Sequence, residues 1–158
     1  MPTRTFEAIR KFLDRNQIDY RPIHHDPTPT SLDSARARGE ELVIGGKAIV
    51  LKVDDTFRLV VLSAARRLHS KAIKTYFGAK KTRFATVEEL EELTGLVPGA
   101  VPPFGRPILD LSLYLDQDIT SNDRIAFNAG SLTDSIIMKM EDYLRVAQPT
   151  IFSFSETR

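Results

Sequence analysis

The chain has no cysteine among its 158 residues. That removes disulfides, thiolate metal ligands and a cysteine nucleophile at once. Histidine is scarce, with three residues. His24 and His25 are adjacent, so on a strand they point to opposite faces, and His69 sits alone in a basic stretch. No H-x-x-x-H or carboxylate cluster completes a metal site. No G-x-S-x-G elbow presents a serine nucleophile, and no Walker or Rossmann glycine loop awaits a nucleotide. No apolar run reaches the length of a membrane span, and the first residues form no secretory core. A net charge of +1 names no partner. Repeats, low-complexity tracts and linkers are absent. The length fits one domain over 1–158, and a cytoplasmic protein, monomeric by default, is expected.

What is present is concentrated. Thr94 to Gly105 holds three of the eight glycines and three of the nine prolines. Proline lacks an N–H and glycine is too free, so this run is a stiffened loop rather than helix or ladder. Its chemical offer is main-chain amide. Gly99, Ala100 and Val101 are placed to receive a carbonyl or an anion, with Pro102 and Pro103 fixing the shape beyond them. A rigid connection between two elements would use the same composition.

Periodicity predicts an α+β fold: a mixed, mostly antiparallel, barrel-like sheet with helices around it. Phe6, Ile9, Phe12 and Leu13 give an amphipathic helix over Thr5–Asn16. Ile18–His24 reads as an edge strand because of Pro22. A helix from Thr30 or Ser31 should stop near Gly39. Lys47–Val53 and Phe57–Leu62 around Asp54-Asp55-Thr56 form the clearest hairpin. Helices are predicted over Leu68–Phe77 and, through the capping box Thr86-x-x-Glu89, up to Thr94-Gly95. Strands over Ile108–Leu115, Arg124–Ala129 and Ser135–Lys139, a helix over Glu141–Ala147 and a short strand Ile151–Phe154 complete the reading.

Lys47 is the sharpest single candidate. It opens a buried-looking strand behind Gly45-Gly46 and places one ammonium where a phosphate or developing negative charge could meet it. A strand-end lysine reaching for water is the alternative. Between Arg66 and Arg83 lie seven basic residues and no acid, followed at once by Glu88, Glu89, Glu91 and Glu92. This is a basic face for phosphates or a pair of solvated helices with complementary charge. Ser131, after Gly130, is placed to line a pocket or to close a turn. No acid, base and nucleophile set emerges. An enzyme built this way works by positioning, with water or the substrate supplying the attacking group.

Taken together, several short motifs carry a resemblance: His25-Asp-Pro27 with Thr30, Gly46-Lys47-Ala-Ile-Val-Leu51, Ala65-Arg-Arg-Leu68, Phe77-Gly-Ala-Lys-Lys81, Thr94-Gly95, Gly99-Ala-Val-Pro-Pro-Phe-Gly105 and Ala129-Gly-Ser131. In order and spacing the chain resembles the YbaK-type aminoacyl-tRNA deacylases, relatives of the editing domain inserted in bacterial prolyl-tRNA synthetase. The resemblance runs from about His25 to Leu144. It implies hydrolysis of the ester of mischarged tRNA, typically a wrong amino acid on proline tRNA. It implies that Lys47 holds the tRNA 3′ end, that Gly99 to Pro103 bind the aminoacyl carbonyl through amides, and that a terminal-adenosine hydroxyl assists the water. Gly130 and Ser131 would line the pocket, with Ile23 and Ser135 setting its size. Ser135 and the segment Phe127-Asn-Ala-Gly130 stand where other members carry an acid or a histidine. No metal or organic cofactor and no membrane or DNA contact is implied. The expected partners are the 3′ end and acceptor stem of aminoacyl-tRNA, with prolyl-tRNA synthetase as a further candidate. A tRNA- or synthetase-binding module that has kept the fold without catalysis is the rival expectation.

Overall fold

The computed structural model describes residues 3–28 and 30–158. Helix α1 (Arg4–Arg15) starts where the Thr3 side chain accepts the Phe6 N–H, and it buries Phe6, Ile9 and Leu13 as one stripe. Strand β1 (Tyr20–His24) and helix α2 (Ser31–Arg38) follow. Thr30 caps α2, and Gly39 ends it in the left-handed conformation at φ 71°. A 3-10 turn over Leu42–Ile44 leads into the hairpin β2 (Gly46–Val53) and β3 (Thr56–Ser63). Next come β4 (Arg66–Leu68), α3 (Ser70–Phe77), β5 (Thr82–Phe84) and α4 (Val87–Thr94). After the Gly/Pro loop the chain forms β6 (Leu113–Asp116), a 3-10 turn over Gln117–Ser121, β7 (Arg124–Asn128) and β8 (Asp134–Lys139). Helix α5 (Met140–Ala147), β9 (Thr150–Phe152) and β10 (Ser155–Thr157) finish it. No described helix is long and apolar enough to cross a membrane.

The strands form three sheets, ordered β1-β8-β7, β10-β4 and β5-β2-β3-β6-β9. Only the pairs β3–β6 and β6–β9 are parallel. The mostly antiparallel, mixed expectation holds, and β1 with Pro22 is an edge strand. The barrel-like detail does not: the sheets stay open. A single parallel bridge between Gly45 and Ala126 links the start of β2 to β7. The main core lies between the two larger sheets, where Val50, Leu59 and Val61 meet Ile125, Phe127, Ile136 and Met138 under α1 and α5. A second cluster on the other face of the five-stranded sheet gathers Leu51, Val60 and Leu62 with Ile73 and Phe154.

Three elements depart from the periodicity. The apolar run from Ile108 is a turn, with the N–H groups of Ile108 and Leu109 both donating to the Gly105 carbonyl, so the strand begins only at Leu113. Its side chains satisfy the core without making a ladder. β4 and β5 have three residues each and sit in the basic stretch, too short to show an alternation. β4 is held by β10, where Arg67 faces Glu156 across the strands at 2.8 Å.

The capping box at α4 is joined to β5. Arg83 forks onto both oxygens of Glu89 at 2.7 and 3.0 Å, and Glu89 also accepts the Thr86 N–H at 2.8 Å. The Arg83 guanidinium first, and then the Thr86 N–H, hold the Glu89 carboxyl at about 2 against an ordinary 4.5. A depressed carboxyl stabilises the fold above its unfolded pKa, and that contribution disappears as pH falls through the folded one. Glu89→Gln should therefore flatten the acid side of the stability curve between about pH 4.5 and 2. Urea midpoints across that range test this, and an unchanged acid limb refutes it. Deeper in, the Tyr143 hydroxyl donates to the Pro103 carbonyl at 2.6 Å, fully buried. Tyr143→Phe strands that carbonyl and should cost about 1–3 kcal/mol, read from denaturant unfolding.

Candidate active site

One pocket of about 730 Å³ opens between α2, the start of β2, the β5–α4 connection and the Gly/Pro loop. Of the residues singled out in the sequence, Lys47, Gly99 and Val101 meet on its wall. The charged side chains of the wall are Arg38, Lys47 and Arg158, with no Asp, Glu or His among them. Of its hydroxyls, Thr28 and Ser34 bond each other at 2.6 Å, and Thr30 donates to the Asp33 carboxylate at 2.7 Å within the α2 cap, where it also accepts the Asp33 N–H at 3.1 Å. The wall is therefore cationic, and these bonded hydroxyls are committed to local structure.

Lys47 is exposed at the head of β2, opposite Leu62 in the hairpin register. It has no ion-pair partner among the described residues. The preceding glycines serve packing as well as access. A Cβ on Gly46 would lie 3.0 Å from Ile125, and one on Gly45 would lie 3.3 Å from Ala64. Without side chains there, β2 can start against β7 and still carry Lys47 into the pocket.

The Gly/Pro loop is held by its carbonyls. The Asn128 side-chain amide donates to the Gly99 oxygen at 2.7 Å, and the Gly130 N–H donates to the Ala100 oxygen at 2.9 Å. Gly99 itself has φ 88°, which a residue with a Cβ adopts only under strain. The Ala100 N–H is spent on the Val97 carbonyl at 3.1 Å, and its methyl faces the core. The N–H groups of Gly99 and Val101 have no acceptor among the described residues. The three-amide set expected from the sequence is thus reduced to two, flanking the amide of a turn.

The other candidates stand behind the wall. Pro103 is buried and anchored by Tyr143. Gly130 packs against Thr5, which a Cβ would meet at 2.7 Å. Ser131 closes the β7–β8 turn by accepting the Thr133 N–H at 3.0 Å. Ile23 and Ser135 are cross-strand partners of β1 and β8. Ile23 packs with Ile44, Ala126 and Ile137, while Ser135 is fully buried and polar.

Ser135 belongs to a polar chain that the sequence concealed. Arg38 is 8% exposed, yet no carboxylate among the described residues pairs with it. Burial pushes its guanidinium down to about 10. Its Nε donates to Ser135 at 3.0 Å and an Nη to the Asn128 oxygen at 2.9 Å. His25 Nδ1 faces the Asp26 carbonyl at 2.8 Å, so that nitrogen carries the proton. His25 Nε2 lies 2.8 Å from the Ser135 hydroxyl, which also donates to the Asn128 oxygen at 3.2 Å. His24 turns the other way, to Asp134 at 2.9 Å. The only available signal for Arg38 was its spacing in α2, where Ser34, Ala35 and Arg38 share the buried face. Position in the last turn also helps a cation, because the helix C-terminus carries partial negative charge.

A family model, the aminoacyl-tRNA editing domain, matches residues 25–146. The chain is 34% identical over 159 residues to the multifunctional Ser/Thr-tRNA deacylase ProXp-y of Escherichia coli K12, covering 97% of this chain and 94% of that one. It is 24% identical to the prolyl-tRNA editing protein ProX of Acetoanaerobium sticklandii, over 90% of each chain. A solved structure described as a candidate trans-editing enzyme for prolyl tRNA synthetase superposes with a TM-score of 0.84 at 22% identity, covering 99% of both chains. Motif order, the pocket they build and these matches agree, and the chain belongs to the aminoacyl-tRNA editing domain family.

Proposed function

We propose that the protein is a trans-editing hydrolase that removes a small, wrongly attached amino acid from aminoacyl-tRNA, with mischarged proline tRNA as the expected substrate. The observation that carries this reading is the pairing of Lys47 with the Gly99 and Val101 amides, all unpartnered among the described residues, in a pocket whose charged wall side chains are cations. Lys47 binds a phosphate at the tRNA 3′ end as a point charge. The two amides receive the ester carbonyl oxygen as negative charge develops on it. Water adds to the carbonyl carbon with help from the terminal ribose hydroxyl. The bond from carbon to the ribose oxygen then breaks, and that oxygen takes a proton. The free amino acid and intact tRNA leave.

The similarity to a Ser/Thr-tRNA deacylase and the polar wall of Arg38, Asn128, Thr28 and Ser34 favour serine or threonine as the acyl group. Four lysines of the basic stretch, Lys71, Lys74, Lys80 and Lys81, are free of ion pairs among the described residues and suit the acceptor stem. Arg66, Arg67 and Arg83 are engaged by Asp118, Glu156 and Glu89 and contribute less. The reading takes the protein as a cytoplasmic monomer that meets its substrate free or beside prolyl-tRNA synthetase.

Deacylation of proline tRNA charged with Ala, Cys, Ser or Thr, and of tRNAs charged with their own Ser or Thr, tests the reading. One or more esters should be lost rapidly. Lys47→Ala should lower kcat/KM by about 10- to 150-fold, the worth of one charge-assisted bond. Binding of tRNA with every ester left intact would instead establish a non-catalytic module. Asn128→Ala should lower kcat more than it raises KM, because it frees the Gly99 carbonyl and loosens the peptide plane that joins the two unspent amides, without touching Lys47. A pure KM effect would refute that role.

A further inference from the structure

We propose that the ring of Phe84 is a stacking platform for a nucleobase at the 3′ end of the incoming tRNA. This deepens the reading above and rests on it. Phe84 is 60% exposed and forms part of the pocket wall that also carries Lys47. A large apolar ring left in water at the mouth of a cationic pocket has no folding role to explain it. Its backbone, by contrast, is firmly mounted. Phe84 pairs with Leu51 across β5 and β2, and the next residue, Ala85, donates its N–H to Val50 at 2.9 Å. The Phe84 carbonyl accepts from Arg83 at 3.1 Å, and the same guanidinium is forked onto Glu89 of the α4 capping box. The ring is therefore presented from a fixed base, with little ordering left to do when a flat partner arrives.

The chemistry of the surroundings identifies the partner. Lys47 supplies a positive point on the same wall, Lys80 and Lys81 precede Phe84 in the chain, and no Asp or Glu side chain lines the pocket among the described residues. A phosphate on the ammonium and an adjacent base on the ring is the combination by which single-stranded nucleic acid is held, with sequence-tolerant stacking worth about 1–3 kcal/mol per base. An apolar helix of a protein partner would use the ring and the exposed Leu32 of the same pocket wall but would leave the cations unmatched.

The chain contains no tryptophan, so Phe84→Trp introduces a single indole at the platform, excited selectively beyond the absorption of the four tyrosines. A short RNA ending in CCA should quench it, and the same RNA with an abasic 3′-terminal nucleotide should quench it less and bind more weakly. Phe84→Ala and Phe84→Leu should both raise KM for aminoacyl-tRNA by about 5- to 150-fold with kcat changed less than about twofold, since leucine keeps apolar area but has no π face. Phe84→Trp, which keeps a π face, should give a lower KM than either Phe84→Ala or Phe84→Leu. Equal quenching by both RNAs, or an unchanged KM in the alanine variant, overturns the proposal. So does a fluorescence change that answers only to prolyl-tRNA synthetase, which would make the face a protein contact. Base-dependent quenching in a protein that cleaves none of the esters would defeat the hydrolase reading while supporting the platform.

Discussion

A guanidinium buried without a counter-ion is the constraint on which the rest of the site depends. Arg38 is held at the C-terminal turn of α2 and is satisfied by the neutral oxygens of Ser135 and Asn128. Neutral acceptors leave its charge intact, so the pocket it faces has a positive interior. Each acceptor is itself committed. The Ser135 hydroxyl lies 2.8 Å from His25 Nε2 and 3.2 Å from the Asn128 oxygen, and Asn128 turns its amide N–H to the Gly99 carbonyl. One charge thus fixes the orientation of a serine, an amide and a loop from three separate parts of the chain. Loss of any one leaves a buried polar group without its partner, which is the situation that proteins tolerate least.

The loop gains its function from where its carbonyls go. Once Gly130 fixes the Ala100 oxygen, the peptide plane it shares with the Val101 N–H is set, and Asn128 sets the Gly99–Ala100 plane between the two unspent amides. This is preorganisation in the sense that matters for ester hydrolysis: dipoles arranged before charge appears need no rearrangement when it does. It also explains how a pocket without a histidine or carboxylate on its wall can be suited to chemistry. The substrate brings the hydroxyl, and the protein supplies an electrostatic frame.

Much of the frame was legible. The hairpin, the helix cap at Thr30, the capping box at Thr86 and the glycine stops at Gly39, Gly78 and Gly95 are local signals, and local physics decides them. Lys47 and the Gly99 loop were legible because a lysine at a strand mouth and clustered Gly and Pro are unusual where they stand. Arg38 was not, since an arginine in a helical last turn normally marks a solvated end. Its burial depends on β7 and β8, about ninety residues further along the chain. Gly130 and Pro103 were read as pocket residues, whereas contacts with Thr5 and Tyr143 give them packing roles that no local pattern encodes. The short strands β4 and β5 escaped notice because three residues cannot display a period.

The bridge from Gly45 to Ala126 and the pairing of β1 with β8 have a consequence in time. The β2–β3 hairpin closes over a few residues and can form early, whereas β1 must wait for a partner more than a hundred residues downstream. High sequence separation of this kind delays closure, because loop entropy is lost before the contact rewards it. During synthesis Lys47 can sit on its hairpin while Arg38 still has neither Ser135 nor Asn128 to meet. The polar chain and the loop it clamps are complete only when the last third of the polypeptide has docked. Order of assembly is thereby built into the topology: a half-made chain has the cation but not the oriented amides.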